Sequence, residues 1–263
     1  MINSIQIAII KKDLRSMVFN KRLFPVLIIV PLVFTIVLPT IFIISIHFTT
    51  DEMSEFQSLL DMMPVSKQLD TTSRTLIALI LNYIMPIFFT MIPIMAASVM
   101  AASSFVGEKE KRTLETLLYC PLPLSKIFQS KVWASFFLSM LVSFASFLVM
   151  LIVIEIGTFL TTGSILLPDI SWIVVMLVVS PAVSLVTITL IVGGSAKAQT
   201  VEESQQRSVF LIIPLMLLIV GQFTGIILIN AWYLLGAGAV LAVLAVIFMK
   251  SSMRKFTYEI LLR

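Results

Sequence analysis

Adjacent carboxylates, a histidine, a thiol and a phosphate-cradling glycine loop are the groups from which a chain of this kind could assemble a reactive centre. The densest group is Glu202-Glu203-Ser-Gln-Gln-Arg207. Paired acids followed by an arginine can activate water for hydrolysis, provided that histidines or a metal stand beside them. The chain has a single histidine, His47, and the span map below puts it across a membrane from Glu202 and Glu203. No histidine-assisted centre can therefore form. Read plainly, residues 195–207 are a polar connector between two apolar stretches. Cys120 is the one cysteine, so no intrachain disulfide exists. A Walker-type phosphate loop needs a glycine followed directly by lysine, and none of the nine glycines is so placed. The chain is thus expected to be no enzyme, with no catalytic residue, cofactor or metal of its own.

The surrounding composition says where such groups would have to sit. Of 263 residues, 59% are hydrophobic and 12% charged, and the mean hydropathy is +1.09. A soluble domain could not cover itself with so little polar surface, so the chain is a membrane protein. Uncharged tracts long enough to cross about 30 Å of hydrocarbon run over residues 23–48, 76–106, 132–154 and 172–194. A further tract, Ser208 to Met249, holds 42 residues without Asp, Glu, Lys or Arg, too long for one tilted helix and right for two. Asn230, Trp232 and Tyr233 mark its middle, where an amide beside amphipathic rings suits a hairpin at headgroup level. This divides it into spans over 208–229 and 231–249. The expected fold is one all-α transmembrane domain of six helices.

Charge placement orients it. Sixteen of the 18 Lys and Arg residues fall in the N-terminal segment, the loops 107–131 and 195–207, and the C-terminal end; only Lys67 and Arg74 fall on the other side. That other side carries Asp51, Glu52, Glu55, Asp61, Asp70 and Asp169. Basic loops stay in the cytoplasm, so both termini are expected inside, in the plasma membrane. The basic excess is topological and does not point to nucleic acid. Residues 1–22 read as an interfacial helix, with Ile7, Ile10, Leu14 and Met17 at helical spacing for the inner leaflet and Lys11, Arg15 and Arg22 projecting elsewhere.

The membrane interior is nearly empty of ionisable groups, whose burial is repaid only by function. Glu155 is the one acid within a span, near the outer boundary, where reaching into headgroups accounts for it. Prolines recur instead, at 25, 31, 39, 86, 93, 181 and 214, as potential kinks. Ala97, Ser98, Ala101 and Ala102 predict a close helix approach on the second span. Phe88, Phe89, Met91, Phe136, Phe137 and Met140 are candidates for lining a pathway, or for facing lipid.

The first inner loop is the most informative segment. From Glu108 to Tyr119 it predicts a short helix: Glu108, Lys109, Glu110, Lys111 and Arg112 form a mixed-charge start, Leu114, Leu117 and Leu118 form a stripe, and Pro121 with Pro123 end it. Three leucines on a cytoplasmic helix need a lipid or protein partner. The run Glu108 to Leu118, with its Thr113-Leu114-Glu115 core, followed by Pro121 to Ser125 and Lys131, resembles the signature of ABC transporter permeases of the type-2 exporter family. The resemblance implies that this segment is a coupling helix that docks on a separate ABC ATPase subunit, which carries ATP and Mg. It also implies that Glu202, Glu203 and Arg207 make a second contact, and that six helices form half of a homodimer surrounded by lipid. With no fixed charge along the spans, the expected cargo is hydrophobic or amphipathic: a peptide toxin, an antimicrobial or a lipid-like molecule. A sensor or immunity module using the same coupling, and an ATP-independent carrier, are the alternatives.

Overall fold

The computed structural model describes residues 4–20, 23–48, 72–110, 123–163, 165–166, 168–195, 198–224 and 230–255, and all secondary structure among these is helical. The side chains of residues 23, 46–48, 72–74, 223 and 251–255 lie outside that description. Six helical segments are long and apolar enough to cross a bilayer: Phe24–Ser45, Thr75–Glu110, Leu124–Thr162, Ile170–Ser195, Val201–Gln222 and Ala231–Lys250. A spanning segment without water must satisfy its own backbone groups, which is why each apolar tract becomes a helix.

In order, the elements are α1 (Ser4–Val18), α2 (Leu23–Phe48), α3 (Thr72–Leu79), a π turn (Ile80–Ile84), α4 (Met85–Phe89), α5 (Met91–Glu110) and α6 (Leu124–Thr162). They continue with α7 (Ile170–Val174), a second π turn (Val175–Val179), α8 (Ser180–Ser195), α9 (Val201–Gln206), α10 (Val209–Phe223) and α11 (Ala231–Lys255). The second span thus comprises α3 to α5, and the fourth α7 and α8. The uncharged 42-residue tract does divide into two helices, and Asn230 caps the second: its side-chain Oδ1 accepts from Ala231 N at 2.7 Å. Two spans are longer than their apolar cores. The second runs on through Glu110 and the third begins at Leu124, so the predicted start of the loop helix at Glu108–Glu110 is the last turn of the second span. At about 1.5 Å per residue the 39-residue α6 is roughly 58 Å long and overreaches the hydrocarbon.

The second span is the centre of the bundle, 89% buried over its most apolar stretch, whereas the fifth and sixth are 17% buried and lie at the rim. Its small face is what lets neighbours approach: Ala97, Ala101 and Ala102 are fully enclosed. The buried face of α6 is equally small, with Ser135, Ser139 and Ser143 inaccessible. The hydroxyls of Ser139 and Ser143 bond back to Phe136 O and Ser139 O of the same helix, so a polar stripe is hidden without breaking the helical ladder. Large apolar side chains such as Ile152, Phe159, Leu177, Phe210 and Leu217 turn outward, as lipid allows and water would not.

Proline placement follows two rules. Pro31 and Pro39 lie within the continuous α2, and Pro214 within α10. Pro86 and Pro181 instead each follow a π turn by two residues.

Candidate functional site

At the end of the bundle that carries the Lys and Arg residues, three elements converge on buried charge. Glu108 comes from the last turn of α5, Lys131 from the second turn of α6, and Asp13 from α1. Lys131 Nζ lies 2.7 Å from Glu108 Oε2 and 3.6 Å from Asp13 Oδ2. Lys12 Nζ reaches Glu108 Oε1 at 2.8 Å. Ser104 Oγ donates to Asp13 Oδ2 at 2.8 Å, and the Lys131 ammonium donates to the Ser104 carbonyl. Lys131 also lies over the Phe105 ring, 5.5 Å from its centroid. The Lys131 side chain is 3% exposed, Asp13 7% and Glu108 12%. Among the described residues, the two ammoniums and two carboxylates of the cluster cancel. Charges this enclosed persist only where pairing and hydrogen bonds offset their desolvation.

The cluster brings together residues distant in sequence, and its topology matters. Glu108 and Lys131 flank segment 111–122, so their ion pair joins the two roots of that segment. Asp13 and Lys12 then fasten α1 to both roots. A further tie runs from Gln6 Nε2 to Lys126 O at 3.3 Å. The buried face of α1 is therefore Gln6, Ile9, Asp13 and Met17, turned against the bundle. The apolar stripe predicted for lipid is divided by this rotation: Met17 is buried while Ile7 is 55% exposed. Arg15 stands over the Phe19 ring on the exposed side. Tertiary ion pairing, invisible to a one-helix periodicity, sets the rotation.

Of the ten residues predicted for coupling, Glu108 is part of the cluster, Lys109 is half-buried and Glu110 is exposed. Lys111, Arg112, Thr113, Leu114, Glu115, Leu117 and Leu118 lie outside the described residues. Sequence reasoning missed Asp13, Lys12, Ser104 and the role of Lys131. One signal was available: Asp13 is the only acid among the first 50 residues and shares a helical face with Met17.

The second half of the polar connector 195–207 folds as α9, which opens the fifth helical segment beside the same root. Thr200, the N-cap, accepts at Oγ1 from Glu203 N at 3.2 Å, and Glu203 Oε2 accepts from the amide of the preceding Gln199 at 2.9 Å, so the Glu203 side chain folds back over the start of its own helix. Val201 is buried, 3.7 Å from where a Cβ on Gly107 of α5 would lie. Glu203 is thus engaged in its own helix, Glu202 is exposed, and the Arg207 guanidinium lies across Gly194 in the last turn of α8, where a helix favours cations. The six candidate pathway residues do not share one environment. Phe89 and Met91 are core residues, Phe89 edge-on to Phe147 and Trp172. Phe88 meets Phe42 from the first span, and Met140 and Phe136 are half-buried. Phe137 is 53% exposed and stacks on Trp133.

Five apolar spans around a central sixth, with a tied-down surface helix and a charged cluster at one end, define a multi-pass integral membrane protein. The family profile described as ABC-2 family transporter protein matches residues 7–235. The chain belongs to that family and is the membrane subunit of an ABC-type transporter. A comparison with curated proteins finds no match.

Proposed function

We propose that this chain is the permease half of an ATP-driven exporter, working as a homodimer with two copies of a separate ABC ATPase that holds ATP and Mg. Both termini lie in the cytoplasm, with the basic end of the bundle at the inner face of the plasma membrane. Segment 108–118 docks on the ATPase through Leu114, Leu117 and Leu118 as apolar anchors. Lys109, Glu110, Lys111, Arg112, Thr113 and Glu115 form a polar rim. Exposed Glu202 on α9 adds the second contact, with Glu203 and Arg207 holding that helix in place.

The observation that carries this reading is the buried ion cluster. A loop that receives force must be joined stiffly to the spans it moves, and Lys131–Glu108 closes its two roots against each other while Asp13 adds α1. A lipid-resting loop needs no such closure. ATP-driven approach of the ATPases would shift the docked segment and its roots as one body, biasing the bundle between two arrangements. Among the described residues, Glu155 is the only acid in a span away from the basic end, which favours hydrophobic or amphipathic cargo.

Leu117→Arg tests the docking. The variant is expected to insert normally, with its six spans intact, and to lose co-purification of the ATPase, because a buried unpaired cation replaces an apolar anchor. Full retention of ATPase binding would overturn the contact. Uptake of an amphipathic peptide into inverted vesicles, ATP-dependent and absent from Leu117→Arg vesicles, then separates export from ATPase stimulation without transport.

A further inference from the structure

The far half of the second span holds a second polar centre that the docking end does not use. Three consecutive residues of the π turn are each tied to another span or to the residue that caps it. Trp172 Nε1 donates to Leu81 O at 3.1 Å, Asn82 Oδ1 accepts from Asp169 N at 2.9 Å, and Gln222 Nε2 donates to Tyr83 O at 3.2 Å. Trp172 and Gln222 are almost wholly buried. The register of the turn explains the first bond. Met85 N–H bonds to Ile80 O, five residues back, so the next amide in this register would bond to Leu81 O. The next residue is Pro86, which has no N–H.

We propose that Trp172 is a positioning residue whose indole N–H stands in for the amide Pro86 lacks, holding the second span in its wide register. In ordinary α register the Pro86 ring would clash with the carbonyl of Asn82, and the orphaned acceptor would be that carbonyl. The π turn relieves the clash and moves the orphan one residue back, to Leu81 O, where the fourth span supplies a donor. The same register presents Tyr83 O to Gln222 of the fifth span, which is otherwise at the rim of the bundle. The turn therefore keys the fourth and fifth spans to the central one. The fourth span repeats the pattern, with Ser180 N–H on Val175 O and Pro181 next, so a π turn ahead of a proline is how this fold accommodates both. If the chain works as proposed above, this fastened turn is the fixed end against which the ATPase-driven half of the second span moves.

A double-mutant cycle on the purified full-length protein tests the assignment. Trp172→Phe keeps an aromatic ring near Phe89 and Phe147 but removes the donor. Its melting midpoint in detergent is expected to fall by about 5 °C. In a Pro86→Ala background, where the substituted residue supplies the amide, the same change should cost under about 2 °C. Equal losses in both backgrounds would show that Trp172 acts by packing alone and overturn the proposal. So would no loss in either. Should Pro86→Ala fail to fold, 3-benzothienylalanine at position 172 decides: it keeps the bicyclic ring and deletes only the N–H, so a wild-type melting curve would refute the role, while a drop like that of Trp172→Phe supports it. None of these readouts needs the partner subunit, so failure of the transporter reading leaves the cycle interpretable.

Discussion

Lys131→Met is expected to destabilise the protein by about 3–5 kcal/mol, because among the described residues it leaves the exposed Lys12 as the remaining cation beside the enclosed Asp13 and Glu108. Methionine keeps most of the lysine stem, so lost packing is a small part of the effect. The sharper prediction is the partial rescue. In Asp13→Asn/Lys131→Met one carboxylate is gone, Glu108 retains Lys12, and the cluster is again neutral. Most of the loss should return, measured as the melting midpoint of the purified protein. Release of α1 should accompany the single variant and not the pair, read as protease access to residues 4–18. A single variant that melts with the wild type would mean the cluster is hydrated and contributes little.

Gly238→Leu is expected to dislodge the sixth span, and Gly236→Leu to leave it in place. A Cβ at 238 would come 2.9 Å from Val178 Cγ1 and 3.3 Å from Val179 Cγ2 on the fourth span, with the Val179 amide nitrogen at 3.5 Å. The valines stand in a π turn and cannot withdraw without moving backbone. A leucine there should cost about 3 kcal/mol or more, at or beyond the usual range for overpacking. None of the described residues lies within 4 Å of a Cβ at 236, and a leucine there is expected to face outward from the bundle. Because both variants replace a helical glycine by the same residue, the change in helix propensity cancels between them. The comparison isolates the close approach of the spans. A cysteine cross-link between the fourth and sixth spans that forms in Gly236→Leu and fails in Gly238→Leu would establish it. Equal yields would refute it.

The prediction for α1 shows where sequence pattern stops. Its apolar stripe was assigned from spacing alone, and spacing cannot weigh an aspartate that finds Lys131 and Ser104 about a hundred positions away. Turning Asp13 inward hides Gln6 and Met17 with it and leaves Ile7 outside. The loop boundary was misplaced for a related reason. Charge was taken to end the second span, yet Glu108 continues the helix because Lys12 and Lys131 meet it there. The prolines were legible as potential kinks, but only tertiary donors distinguish Pro86, with its π turn and Trp172, from Pro31 and Pro39 inside unbroken helix.

The sequence alone determined the number of spans, the all-helical class and the division of the 42-residue uncharged tract into two helices, because in lipid every backbone group must be satisfied within its own segment. That is a local requirement, readable residue by residue. Only the tertiary structure decided which span is central, which face of α1 is buried, and that residues 13, 104, 108 and 131 form one cluster. Those outcomes depend on pairing between groups remote in the chain, and the gain of joining two buried charges exists only once folding has brought them within a few ångströms.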